Sequence, residues 1–285
     1  MGNILWIASY PKSGNTWFRM FLSHILRDEI SSIDINQYES DGIASARNAF
    51  DYYSGLDSTD LTREEIERLR PDVYEKMSAT AEGLLIIKAH DAYKTLPDGR
   101  HLFPSPATKA AVYLLRNPLD VLVSYAHHNG QSIEKTIKAM NNADHTLSYK
   151  KNNALSQLPH FLGTWSHHVQ SWTEIPSFTY VIRYEDLHQK PLDTFKKAAE
   201  AIGLNKSTER IKKAIEATSF DNLQKQEQEK GFHERPHSSS SFFRSGKLGS
   251  WRESLTEKQA GAIIEKHSVM MKRYGYLDHK DNPVY

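Results

Sequence analysis

Residues 4–25 read Ile4-Leu5-Trp6-Ile7-Ala8-Ser9-Tyr10-Pro11-Lys12-Ser13-Gly14-Asn15-Thr16-Trp17-Phe18-Arg19-Met20-Phe21-Leu22-Ser23-His24-Ile25. The opening run, Ile4 to Ala8, is short and continuously apolar, as in a strand buried on both faces. A turn-rich segment follows, and then Trp17, Phe18, Phe21, Leu22 and Ile25 recur at helical spacing. Strand, glycine-containing loop and helix, in that order, open the α/β folds that bind phosphate groups.

Outward from this stretch, three more apolar runs read as buried strands, at residues 84–87, 111–115 and 178–182. Helical patterns at 63–77, 120–127, 162–172, 191–202 and 209–217 separate or follow them. The alternation predicts an α/β fold over residues 1–285, a single domain with a mostly parallel central sheet flanked by helices. No internal repeat interrupts it. Residues 129–160 and 225–250 are polar, and the second contains the run Ser238 to Ser241. Both are expected to be mobile acceptor-binding or lid connections.

The chain has 285 residues with 36 Lys plus Arg against 35 Asp plus Glu, a net charge of +1. Binding that rests on overall basic charge is excluded by this balance, and no nucleic-acid partner is expected. A local basic pocket for a small anion is compatible with it. The absence of cysteine removes disulfides, thiol nucleophiles and Cys-based metal sites together. No run approaches the roughly 20 apolar residues of a membrane-spanning helix. The start, Met1 to Trp6, has neither a basic region nor a small-residue cleavage site, and Trp6 stands where a myristoylation pattern wants Ser or Thr. A soluble cytoplasmic protein is expected.

The turn from Pro11 to Trp17 leads into a helix N-terminus, where backbone N–H groups and the helix dipole together favour an anion. Lys12 adds a positive charge, Ser13, Asn15 and Thr16 add donors, and Gly14 permits close backbone approach. It is not a Walker A loop, because Lys12 precedes the only glycine instead of following a second one. By spacing alone it could equally be an ordinary strand–helix turn. Arg116 ends the run 111–115, where ligands of open α/β sheets bind, and its planar fork suits a phosphate. Ser124, eight residues on in the next helix, could meet the same anion. The plainer alternative pairs Arg116 with Asp120.

Taken together, these residues resemble the cytosolic-type sulfotransferases. Pro11-Lys12-Ser13-Gly14-Asn15-Thr16-Trp17 is similar to that family's 5′-phosphosulfate loop, and Arg116 to Ser124 to its 3′-phosphate motif. Lys88-Ala89-His90, Gly163-Thr164-Trp165 through Val169-Gln170-Ser171-Trp172, and Tyr184-Glu185-Asp186-Leu187 continue the resemblance in order. Thr218-Ser219-Phe220 and Phe243-Arg244-Ser245-Gly246 through Gly249-Ser250-Trp251 complete it. The short start and the Trp6 to Pro11 segment look more like bacterial natural-product enzymes than animal ones.

The resemblance implies transfer of a sulfuryl group from 3′-phosphoadenosine 5′-phosphosulfate (PAPS) to a hydroxyl or amine, without a metal. Adenosine 3′,5′-bisphosphate (PAP) would be the product. Lys12 would meet charge on the leaving 5′-phosphate oxygen, while Ser13, Gly14, Asn15 and Thr16 hold that phosphate and Trp17 stacks on adenine. Arg116, Ser124, Arg244, Ser245 and Gly246 would form the 3′-phosphate site. Tyr184, Thr218, Ser219 and Phe220 would contact the adenine side. His90 would be the general base, since histidine titrates near operating pH. Lys88, two residues earlier on the same strand face, would stabilise the transferring oxygens.

Trp165 and Trp172, seven apart, read as core. Tyr93, Phe103, Tyr125 and Phe232 suit either an acceptor pocket or packing. The acceptor is expected to be small or medium in size, with a hydrophobic or phenolic part, and Lys94, Lys150 or Lys151 would favour an anionic one. Two departures from the family pattern matter. Ser245 replaces the lysine of the usual Arg-Lys-Gly triplet, removing one cation from the 3′-phosphate site. The family's dimer motif is damaged, with Glu257 and Gly261 in its Val and Glu places, so that mode of dimer is not expected. The competing readings are a nucleotide binder that has lost turnover and an ATP-dependent phosphoryl transferase. The second would want a metal-binding carboxylate near the loop, and the loop offers none.

Overall fold

All six residues of the first strand, β1 (Ile4–Ser9), are buried, as its continuous apolar run predicts. A computed structural model of the protein describes residues 2–27, 34–38, 40–148, 155–236 and 238–285. After β1 come α1 (Asn15–Leu26), α2 (Arg47–Ser54), α3 (Arg63–Thr80), β2 (Leu85–Ala89) and β3 (Thr108–Leu115). Next are α4 (Pro118–Asn129), α5 (Ile133–Asn141), β4 (Thr146–Leu147), β5 (His160–Phe161), α6 (Trp165–Glu174) and β6 (Thr179–Arg183). The remainder is helical: α7 (Tyr184–Gln189), α8 (Pro191–Ala201), α9 (Thr208–Ala217), α10 (Phe220–Lys230) and α11 (Glu257–Arg273).

The main sheet has the order β2-β1-β3-β6. β1 and β2 pair in parallel, from Ile4 opposite Leu85 to Ala8 opposite Ala89. Since β2 and β3 flank β1 on opposite sides, the strand order reverses at β1. Ligands of open α/β sheets bind beyond the carboxyl ends of strands at such a reversal. Each strand and helix expected from the sequence is present, within a few residues of its expected ends.

The described residues gather into two compact units. The first spans Met1–Tyr10, Ser40–Tyr113 and Ala143–Val181. Its aromatic core centres on Trp6, which meets Tyr74 and Phe103 edge-on at 5.0 and 4.8 Å between ring centroids. The Trp6 indole donates to Thr108 Oγ1 at 2.9 Å, so the ring is buried with its N–H satisfied. Trp165 and Trp172 are fully buried, as their spacing predicts. The second unit spans Pro11–Glu39, Leu114–Asn142 and Ile182–Tyr285. There Phe18 and Phe21 of α1 pack on Phe195 of α8, with Phe21 4.2 Å from it.

Two connections hold more regular structure than their polarity suggests. Residues 129–160 contain α5, started by Ser132, whose hydroxyl accepts Lys135 N–H. The same stretch contributes β4, which pairs antiparallel with β5. Residues 225–250 begin inside α10. Helix α11 was legible in principle, since Thr256 and Gln259 form a reciprocal capping box at its start. Tyr93, Phe103, Tyr125 and Phe232 are all buried. Among the described residues, no helix is long and apolar enough to cross a membrane.

Burial holds four imidazoles, those of His24, His168, His188 and His267, down to about 4. Arg27 and Arg210 add repulsion at His24, and Arg116 adds it at His188. Unfolded histidine titrates near 6.5, so between there and 4 the unfolded chain binds more protons than the folded one. Stability therefore falls as pH falls through that window. Thermal melts should show a much larger drop in Tm between pH 7 and 5 than between pH 9 and 7. An even profile would show that these rings are not held neutral by the fold.

Candidate active site

The chain leaves β1 through Tyr10 and turns sharply, with Lys12 in the left-handed region at φ 70°. A non-glycine residue there is strained and persists only where its surroundings hold it. Here the Lys12 carbonyl accepts Arg116 Nη1 at 3.1 Å. Gly14 is also left-handed, at φ 98°, and a Cβ on it would lie 2.7 Å from Tyr184 Cδ2. Only glycine fits that position. Gly14 begins α1 with no side-chain cap, which leaves the helix N-terminus suited to an external anion. The Ser13 hydroxyl is buried without a partner.

Arg116 follows directly on β3. Its guanidinium lies 4.3 Å over the Tyr184 ring, and its Nε is buried without a partner. Asp120 is not its counter-ion. That carboxylate accepts the Gly249 and Trp251 N–H groups at 2.9 and 3.1 Å and the Ser250 hydroxyl at 3.2 Å. The alternative pairing of Arg116 with Asp120 is thereby set aside: Asp120 anchors the turn at 249–251. Tyr184 is buried and its phenol is pushed up, chiefly by desolvation. Lys12 Nζ sits 4.1 Å from the Phe242 ring centroid and 3.3 Å from His128 Nδ1.

The residues of the 218–246 region gather on this same unit. Gly246 lies so close to Phe220 that a Cβ would meet its ring at 2.4 Å. Glu227 of α10 accepts the Phe242 and Phe243 N–H groups at 2.7 and 2.8 Å, fixing the backbone that leads into Arg244. Arg244 is exposed, while Ser245 and Ser124 are partly buried. The serine run is tied to α4: Ser238 Oγ donates to the His128 carbonyl at 3.0 Å, and Ser239 Oγ lies 3.2 Å from His127 Nδ1.

His90 and Lys88 belong to the other unit, at the carboxyl end of β2. His90 Nδ1 is 2.8 Å from the Ser9 carbonyl, which can only accept. Nδ1 therefore carries the proton, and Nε2 of the neutral ring is a free base. Burial first and the charge of Lys88 second hold His90 well below the usual histidine range. Its backbone is pinned as well. His168 Nε2 donates to the His90 carbonyl at 3.0 Å, and Trp172 Nε1 donates to the Asp91 carbonyl at 2.9 Å. The Asp91 carboxylate is held by both arms of buried Arg70 at 2.7 and 2.8 Å.

Some of the expected ligands are engaged within the protein and others are not. Thr218 Oγ1 donates to the Ala214 carbonyl at 2.7 Å, and Ser219 starts α10 without a side-chain cap bond. Asn15 Oδ1 accepts Arg19 Nε at 2.9 Å, and Thr16 Oγ1 donates to Glu234 Oε2 at 3.2 Å. Trp17 is hemmed by Tyr184, His188 and Phe195, with its indole N–H lacking a partner. Lys94 pairs with Glu67, and Lys150 and Lys151 lie outside the described residues. Sequence reasoning missed Ser9, Arg19, Glu227 and Glu234. Only Arg19 left a signal, at one helical turn from Asn15.

A family model described as the sulfotransferase domain matches residues 3–275. The flavonol 3-sulfotransferase of Flaveria bidentis is 27% identical over 278 residues, covering 93% of this chain and 79% of the relative. Sulfotransferase 1B1 of Canis lupus familiaris is 28% identical, with 94% and 81% covered. Among solved structures, retinol dehydratase in a complex with retinol and PAP aligns with a TM-score of 0.62 at 18% identity, covering 95% of this chain and 82% of that one. Mouse sulfotransferase SULT7A1 complexed with PAP gives 0.58 at 19%, covering 95% and 85%. The fold is thus shared with both, and plant and animal enzymes stand among the relatives. With a single domain model running from the residue before β1 to the turn after α11, the chain belongs to the sulfotransferase family.

Proposed function

We propose that the protein transfers a sulfuryl group from PAPS to a hydroxyl or amine of a small or medium organic acceptor. The observation that carries this reading is the hydrogen bond from His90 Nδ1 to the Ser9 carbonyl, which leaves Nε2 unprotonated at the end of β2. When bound, PAPS supplies the activated sulfuryl group. The residues present fit such a ligand: the buried Ser13 Oγ and Arg116 Nε lack partners, and Gly14 leaves the helix start uncapped.

In this reading Lys12, Ser13, Gly14, Asn15 and Thr16 hold the 5′-phosphate side. Arg116, Ser124, Arg244, Ser245 and Gly246 hold the 3′-phosphate. Trp17, Tyr184, Thr218, Ser219 and Phe220 enclose the adenosine. His90 Nε2 takes the acceptor's hydroxyl proton as the acceptor O–S bond forms. Lys12 neutralises charge gathering on the 5′-phosphate oxygen as the original S–O bond breaks, and Lys88 stabilises the sulfuryl oxygens in transit. Donors aimed at developing charge are usually the largest catalytic term. An acceptor with a hydrophobic or phenolic part is proposed, as is the affinity to bacterial natural-product enzymes.

Calorimetric titration with PAP in the absence of metal, beside ATP with magnesium, tests the reading. Micromolar binding of PAP and none of ATP is expected, followed by turnover in an acceptor screen. Binding of ATP with magnesium but not PAP would overturn it. PAP binding with no transfer to any acceptor would point to a nucleotide binder without turnover.

A further inference from the structure

Behind the cofactor loop lies an ion pair to which neither the sequence motifs nor the reaction assigns a role. Arg19, on the second turn of α1, is buried, its side chain only 2% exposed. It donates Nε to Asn15 Oδ1 at 2.9 Å and Nη2 to Thr16 Oγ1 at 3.2 Å, so it grips the side chains of both residues that open the helix. Its Nη2 also meets both oxygens of Glu234 at 2.9 and 3.0 Å. The Thr16 hydroxyl donates to Glu234 Oε2, and Tyr38 completes the cluster. Tyr38 accepts Arg19 Nη1 at 2.9 Å and donates its own proton to Glu234.

A buried guanidinium so placed would be expensive without a counter-charge, and Glu234 supplies one. Because the pair sums to no net charge, it contributes little attraction to a phosphate. Its effect is geometric. The hydrogen bonds set the rotamers of Asn15 and Thr16 and tie α1 to Glu234, in the connection that follows α10. The same connection is held from α10 by Glu227.

Resting on the PAPS reading, we propose that Arg19 and Glu234 are positioning residues for the 5′-phosphate loop, a buried neutral strut that keeps the loop in its anion-binding shape. The strut bonds Asn15 and Thr16 on the 5′-phosphate side, while Glu227 separately holds the backbone that leads to Arg244 on the 3′-phosphate side. Ligands that differ only in the 5′-phosphate therefore isolate it.

The test is calorimetric titration of the full chain with PAP and with adenosine 3′-phosphate, which lacks the 5′-phosphate. The Arg19→Met/Glu234→Met variant removes the pair without altering net charge, and such apolar replacements of buried pairs usually fold. It should bind PAP about 10- to 100-fold more weakly, the worth of one or two loop-to-phosphate hydrogen bonds that a loop out of shape no longer makes, and bind adenosine 3′-phosphate as the wild type does. Glu234→Gln is the second variant. It should also lose PAP affinity, whereas a gain would make Glu234 a mere counter-charge that damps Arg19 and would overturn the proposal. Equal losses for the two nucleotides, or unchanged PAP binding in the double variant, would overturn it too. If the wild-type chain itself fails to bind PAP, the cofactor reading falls first. If the wild type binds and the variants show no selective loss, only the strut falls.

Discussion

Replacing His90 by alanine is expected to lower kcat by about 10²–10⁴-fold, the usual worth of a positioned general base, while PAP binding stays within about twofold of wild type. The Ser9 carbonyl takes the Nδ1 proton at 2.8 Å, so Nε2 is the only basic atom the ring can present. Burial and Lys88 depress its proton affinity, so the ring stays neutral as pH falls through the ordinary histidine range. The base form exists above the folded pKa and is lost below it, so kcat/KM should fall only at a pH well under 6.5. Bound anionic groups favour the protonated ring, which should move the acid limb of kcat to higher pH than that of kcat/KM. Isothermal titration and pH–rate profiles of the wild type and the variant decide the matter. A parallel loss of PAP affinity would make His90 a structural residue.

For Arg116→Ala the expected result is a rise in the Kd of PAP by about 10- to 150-fold, one or two charged hydrogen bonds at about 1.5–3 kcal/mol in all. Two contacts shown by the structure sharpen this. Arg116 supports the left-handed Lys12 by donating Nη1 to its carbonyl, and its guanidinium lies over the Tyr184 ring. Arg116→Lys should therefore recover little, because an ammonium has neither the planar fork nor the stacking face. Adenosine 5′-phosphate provides the control. If Arg116 holds the 3′-phosphate, that nucleotide should lose far less affinity than PAP. Equal losses would mean that Arg116 acts by propping the loop, and unchanged PAP affinity would remove it from the nucleotide site.

Much of this was legible in the residues themselves. The strand–loop–helix at 4–25 is contiguous, so apolar run, glycine and helical spacing locate it without reference to the rest of the chain. The same holds for Arg116 at the end of β3 and His90 at the end of β2, where a buried run simply stops. Helices α5 and α11 were less legible because much of their surface is polar, with only a narrow buried face on each. Their caps, Ser132 and Thr256, carry the signal instead. Asp120 is the carboxylate near Arg116 in sequence, yet the turn at 249–251, which nearness in sequence does not reveal, occupies it.

By itself the sequence determined the α/β class and the strand–loop–helix at its start, because these rest on spacing between near neighbours, and its ordered motifs pointed to the family. The tertiary structure alone decided which proton His90 carries, through a carbonyl 81 positions away. It alone decided that Thr16 and Arg19 answer to Glu234, with Arg19 and Glu234 215 positions apart. Hydrogen-bond partners at such separations are chosen by how elements pack, and no local propensity or period records that choice.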